Sequence, residues 1–150
     1  MAGGRLPRSH LAADTAVNVF VSYTVSDEEA ADDVTRTLRA AGFNAWRDVD
    51  GIRMRDAHQG RILHALDTAS AIVLLLTPRA LYRPWIQAEI HAGQSLGATV
   101  LVARLVRCRI PEWVTPAYVV DRFAGVREAD GELVSHLRRL EMRARARGRV

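Results

Sequence analysis

Three stretches of the chain concentrate the groups that could do chemistry. The first is Ser22-Tyr23-Thr24, with Ser26 and Asp27 just beyond. The second runs from Asp48 to Asp56. The third runs from Thr77 to Trp85, with Glu89 one helical turn further on. Hydroxyls, carboxylates and indoles are therefore on offer, and other chemistries drop out. All 21 basic residues are Arg, which removes any mechanism that needs a lysine amine. His58 and His64 are six apart and no H-E-x-x-H occurs, so zinc hydrolysis has no support and no metal is expected. There is no G-x-S-x-G elbow, no phosphate-cradling P-loop and no G-x-G-x-x-G. Cys108 is the one cysteine, which excludes an internal disulfide and a Cys-based zinc site. Its neighbours Arg107 and Arg109 could lower its thiol pKa, but a packed thiol is the simpler expectation. His10, His58, His64, His91 and His136 are scattered and read as surface or helix positions.

The elements that must position these groups alternate strand and helix. Val17–Tyr23 is a β-branched and aromatic run, hence a strand. Ser26 three residues before Glu29 reads as a capping box, and Ala30, Val34, Leu38 and Ala41 follow at helical spacing up to Gly42. Phe43–Trp46 reads as a second strand. After the charged loop 47–56, Ile62, Leu63, Leu66 and Ala69 mark a helix. Ala71–Thr77 is continuously apolar, as in a strand covered on both faces. Pro84 suits the first turn of a helix running to about Gly97. Thr99–Val106 and Ala117–Phe123 read as further strands, separated by a loop with Pro111 and Pro116. Leu133, Val134, Leu137 and Leu140 give a last amphipathic helix. This order predicts a doubly wound α/β domain, flavodoxin-like, with a parallel five-stranded sheet of order 2-1-3-4-5 and helices on both faces. Ligands in such folds sit beyond the carboxyl ends of the strands, near the switch between the first and third. That rule selects the same three stretches. A phospho-receiver domain is excluded, because it needs clustered acids after the first strand and a lysine after the fourth.

Four segments together resemble a TIR (Toll/interleukin-1 receptor) domain of bacterial type. Val19-Phe20-Val21-Ser22-Tyr23, with Asp27 after it, resembles the family's first box. Gly42-Phe43 and Trp46-Arg47-Asp48-Val49-Asp50-Gly51-Ile52 resemble its second strand and "BB" loop. Ala71–Pro78 followed by Trp85-Ile86-Gln87-Ala88-Glu89-Ile90 resembles the third strand and the W-x-x-x-E segment. Pro111-Glu112-Trp113 and Asp121-Arg122-Phe123 resemble the late loop and last strand. The resemblance spans roughly residues 17–140. It departs at Arg53-Met54-Arg55, where many members carry Pro-Gly, at Pro84 and Ile86 around the tryptophan, and at Thr24, where many NAD-cleaving members are basic.

The resemblance implies two functional classes. One is an NAD+ nucleosidase acting in bacterial defence or effector signalling, with NAD+ as substrate and no separate cofactor. In it Glu89 is the catalytic residue, and Tyr23, Thr24, Trp46, Asp48, Thr77 and Trp85 are the substrate-binding candidates. The other is a non-catalytic module that associates with like domains through the loop residues Arg53, Met54, Arg55 and Asp56. Homo-oligomerisation on activation is compatible with both. A single carboxylate suffices for the first class. The nicotinamide of NAD+ is already cationic and departs neutral, and the oxocarbenium-like transition state needs a negative charge beside it.

Composition bounds the rest. The chain has 150 residues, 49% hydrophobic and 25% charged, as expected of one domain with a closed core and not of a disordered chain. The sequence divides into a loose leader (1–15), the domain (16–140) and a basic helix end or tail (141–150). Residues 138–150 carry six Arg against one Glu; elsewhere 15 Arg face 16 Asp and Glu. A near-neutral body with a basic tail argues against nucleic acid as a partner. No run is long enough to span a membrane, and a cytoplasmic, reducing location is expected from cysteine usage.

Overall fold

A computed structural model of the chain describes residues 17–47 and 68–148. Its five strands are β1 (Asn18–Ser22), β2 (Asn44–Arg47), β3 (Ala71–Leu76), β4 (Thr99–Arg104) and β5 (Tyr118–Asp121). Its helices are α1 (Glu28–Ala40), α2 (Pro84–Ser95) and α3 (Val126–Gly148). All strands are parallel, in the order β2-β1-β3-β4-β5. The expected topology is the observed one. The leader 1–15, the helix around Ile62–Ala69 up to residue 67, and the loop 48–56 lie outside the described residues. The basic segment continues α3 without a break as far as Gly148.

The apolar run Ala71–Leu76 becomes the central strand, with all six residues buried. Strand alternation divides its side chains between two cores. Val19, Val21, Tyr23, Val73 and Leu75 face α1 and α3, where Val34, Leu38, Leu133 and Leu137 meet them. Phe20, Ile72, Leu74 and Leu76 face α2, where Ile86 and Ile90 meet them. The helix α2 lies very close to β3. A Cβ on Gly93 would fall 2.0 Å from Ile72 Cδ1, so glycine there is a packing requirement. Gly42 is required by conformation instead. It has φ +96° and closes α1 through Phe43 N–H to Leu38 C=O (3.1 Å) and Gly42 N–H to Arg39 C=O (3.0 Å), the bonds of a Schellman cap.

Among the boundaries that differ from the sequence reading, three sit at polar side-chain contacts. Ser26 is no helix cap: residues Val25–Asp27 form a 3-10 turn and Asp27 is the N-cap of α1, without a side-chain cap bond. The Asp27 carboxylate is taken by Thr24 and Thr77 (below). The strand β4 stops at Arg104, whose guanidinium pairs with Asp121 (2.7 and 2.9 Å) and donates to Cys108 C=O (2.6 Å). The strand β5 stops at Asp121. Arg122 then turns inward, 7% exposed, to Asp130 (2.8 and 2.9 Å) and Asp33 (2.7 Å).

Candidate functional site

The carboxyl ends of β1 and β3 meet the side of α2 that carries Glu89. Pro84 occupies the first position of α2, and its fixed φ starts the helix there. Glu89 then lies on the sheet-facing side with Ile86, Ile90 and Gly93. It is 2% exposed. Ser22, at the end of β1 on the same side as Phe20, is fully buried and donates to Glu89 Oε1 at 2.7 Å. Burying a carboxylate is costly unless it is hydrogen-bonded, so this bond is part of what holds Glu89 in place. Trp85, one turn before Glu89, is half-buried against the same core, with the Arg83 guanidinium 5.5 Å from its ring centre. Its Nε1–H is shielded from solvent and has no acceptor among the described residues. Trp46 packs on this layer too, stacked on Phe20 with ring centres 5.1 Å apart.

A second group of polar side chains crosses the β1/β3 switch at the sheet edge. Thr24 Oγ1 donates to Asp27 Oδ2 at 2.8 Å, and Thr77 Oγ1 to the same oxygen at 3.2 Å. Ser26 Oγ lies 3.0 Å from Thr24 Oγ1. Thr24 and Thr77 are both buried, so Asp27, 50 residues before Thr77, ties together the segments that follow β1 and β3. Tyr23 goes elsewhere. It is 1% exposed in the α1/α3 core, and its hydroxyl accepts from Arg47 Nη1 at 3.0 Å. Arg47 in turn reaches Asp32 (3.2 Å) and Glu28 (3.8 Å).

The structure thus brings Glu89, Trp85 and Trp46 to one layer, and Thr24 and Thr77 to its carboxyl edge. It places Tyr23 across the sheet from them. Asp48 and the loop residues Arg53, Met54, Arg55 and Asp56 lie outside the described residues. Three roles were not expected: Ser22 and Asp27 lie in or beside the first selected stretch but were given no role, as donor to Glu89 and as the joint between strands, and Arg47 was not named as the anchor of Tyr23. Strand alternation could have found the first, since Ser22 must face the side that Phe20 faces. Among the described residues no three His, Cys, Asp or Glu gather as a metal site, and no helix is long and apolar enough to cross a membrane.

Fold and site together define a doubly wound α/β module with a carboxylate held beside the strand-order switch, where such folds take ligands. A family model described as TIR domain matches residues 19–138, and the chain belongs to that family. Among solved structures it is similar to the TIR domain of the Toll-related receptor TRR-2 from Hydra magnipapillata, at 15% identity and TM-score 0.66, covering 80% of this chain and 97% of that one. It is also similar to a 3-dehydroquinate dehydratase-like protein from Bifidobacterium longum, at 12% identity and TM-score 0.52, covering 81% and 98%. At these identities both likenesses concern the fold. No curated protein matches the chain.

Proposed function

We propose that this TIR domain is an NAD+ nucleosidase that breaks the bond between nicotinamide and ribose, in a bacterial defence or effector setting, with Glu89 as the catalytic carboxylate. The observation that carries this reading is the buried Ser22–Glu89 hydrogen bond at the strand-order switch. On α2 the acid is buried together with Ile86, Ile90 and Gly93, where a carboxylate costs more to bury than an apolar side chain. A buried acid beside a ligand crevice is a functional-site signature.

The chemistry asks little else of the protein. As the C–N bond lengthens, its electron pair leaves with nicotinamide, which becomes neutral without a proton. Positive charge appears on the ribose ring. A carboxylate already oriented by Ser22 stabilises that charge and costs no reorganisation. Water attack at the anomeric carbon, with its proton released to solvent, gives ADP-ribose; attack by a hydroxyl of the substrate, losing its proton in the same way, gives a cyclised product. Trp85 and Trp46 supply apolar walls on the Glu89 layer, and Thr24 and Thr77 supply hydroxyls at its edge.

The test is nicotinamide release from NAD+ by the purified chain, beside Glu89→Gln and with NADH as control substrate. Release that falls about 100-fold or more in the variant, and that spares NADH, supports the reading. NADH lacks the cationic ring and would need a general acid. Folded protein that releases nothing, yet associates with itself, favours the non-catalytic association module instead.

A further inference from the structure

We propose that the connection from β3 to α2 selects the substrate: Arg83 takes a phosphate of the nicotinamide nucleotide, and Tyr82 takes the face of its adenine. The substrate class of the Glu89 site is then the 5′-phosphorylated nicotinamide nucleotides, the dinucleotide first, and not the free riboside. This rests on the nucleosidase reading above and adds to it the residues that choose among substrates.

The Arg83 guanidinium lies 5.5 Å from the Trp85 ring centre. Trp85 and Glu89 are one turn apart on the same side of α2, so this cation borders the layer that holds the carboxylate. Its hold there is weak. A cation over an indole at an exposed position is only loosely retained, and no carboxylate lies within 4 Å of Arg79 or Arg83 among the described residues. The arginines at other strand ends are spent. Arg47, at the end of β2, is shared by Tyr23, Asp32 and Glu28. Arg104, at the end of β4, is held by Asp121, and Arg122, after β5, by Asp33 and Asp130. A guanidinium without a carboxylate is available for a bidentate bond to phosphate, which is stronger than its contact with an indole.

The connection presents these side chains on a firm frame. The N–H groups of Ala80, Leu81, Tyr82 and Arg83 donate in turn to the carbonyls of Thr77, Pro78, Arg79 and Ala80 (3.0, 3.2, 3.1 and 3.3 Å). Ala80 is fully buried, and Leu81 packs on the α2 core. The wound turn leaves Arg79, Tyr82 and Arg83 exposed. Tyr82 is 78% exposed, the one aromatic ring among the large exposed hydrophobics of the described residues. A ring between two arginines, on a hydrogen-bonded turn, is a stacking platform for a base.

Charge sets the direction in which the substrate lies. The reacting ribose sits at Glu89, and its phosphates leave from the 5′ carbon toward one side of the β1/β3 switch. Beyond β1 stand Asp27, Glu28 and Glu29. Beyond β3 stand Arg79 and Arg83, and the first turn of α2 holds no acid. Phosphates are repelled from the first flank and attracted to the second.

The test is a ladder of substrates with Arg83→Gln and Tyr82→Ala, folding confirmed by circular dichroism. Nicotinamide release is followed from NAD+, nicotinamide mononucleotide and nicotinamide riboside. Arg83→Gln lowers kcat/KM for both phosphorylated substrates relative to the riboside by roughly tenfold, chiefly through KM, and Arg83→Lys restores part of that preference. Tyr82→Ala lowers the dinucleotide relative to the mononucleotide by roughly tenfold. General damage to the fold lowers all three substrates alike, so ratios that do not move overturn the proposal. Calorimetric binding of ADP-ribose needs no turnover and separates this proposal from the nucleosidase reading. The parent and Glu89→Gln bind it, and Arg83→Gln binds it about tenfold more weakly. Binding that depends on Arg83 in a parent that releases no nicotinamide removes the nucleosidase reading and supports the phosphate site. A parent that does not bind ADP-ribose, or an Arg83→Gln variant that binds it as tightly as the parent, overturns the proposal.

Discussion

Replacing Ser22 by Ala removes one atom, yet its effect on stability can be worked out from the structure. Ser22 and Glu89 are both buried, at 0% and 2% exposed, and their contact is 2.7 Å. Hydrogen bonds to a charged acceptor contribute about 1.5–3 kcal/mol, and a buried acceptor deprived of its donor loses that amount in full. Ser22→Ala is therefore expected to lower the unfolding free energy by about 2 kcal/mol. For a domain of this length that is a fall in Tm of roughly 4–8 °C. The informative step is the second substitution. Glu89→Leu in the Ser22→Ala background removes the carboxylate that was left with one donor fewer and supplies apolar volume beside Ile86 and Ile90. Replacing both partners of a buried polar pair is near neutral or stabilising, so the double variant should recover most of the loss. Urea unfolding followed by far-UV circular dichroism measures all three, and m should stay constant. A Ser22→Ala variant within about 0.5 kcal/mol of the parent would refute the reasoning. So would a double variant less stable than the single one, since the acid would then be serving the fold.

Other outcomes follow from the same coordinates. Arg122→Ala should cost about 3 kcal/mol in urea unfolding, because it leaves the nearly buried Asp130 without its bidentate partner and strips Asp33 of one contact. Asp27→Ala should cost about 1 kcal/mol, since the Thr24 and Thr77 hydroxyls both lose their carboxylate; the Tm of the variant checks this. Burial pushes the Cys108 thiol up, and the nearby Arg104 guanidinium only partly opposes it, so iodoacetamide at mildly alkaline pH should modify the folded chain more slowly than the urea-unfolded one. The sign for stability follows: with the folded thiol above its unfolded value, the protonated-state contribution is intact below the unfolded pKa and is lost as pH rises through the folded one. A Cys108→Ala variant should show a weaker fall of Tm on the alkaline side.

The sheet was legible because its signals are local. The apolar run Ala71–Leu76 announced a strand covered on both faces, and Gly42 marked the end of α1 as its positive φ requires. The fold topology then followed from the alternation of elements. What the sequence hid depends on pairs far apart. The strand ends at Arg104 and Asp121, and the inward turn at Arg122, are set by ion pairs 8 to 89 residues apart. A capping box at Ser26 is the local expectation, but Ser26 lies inside the 3-10 turn Val25–Asp27 and its hydroxyl meets Thr24 Oγ1 at 3.0 Å. For the site, the resemblance named Glu89. Strand alternation puts Ser22, 67 residues earlier, on the face that Phe20 takes, but its contact with Glu89 depends on how α2 is rotated on the sheet. Tyr23 shows the opposite case. It follows Ser22 directly in sequence, but successive strand residues point to opposite faces, and so it anchors Arg47 in the other core.

The central claim is that the Glu89 carboxylate, held by Ser22, cleaves NAD+. The most direct measurement is nicotinamide release from NAD+ by the parent, Ser22→Ala and Glu89→Gln at matched folded concentration. The account predicts a graded series: a loss of roughly tenfold in kcat for Ser22→Ala, through misplacement of the carboxylate, and of about 100-fold or more for Glu89→Gln. Equal rates in all three, or none in a folded, assembled parent, would contradict it.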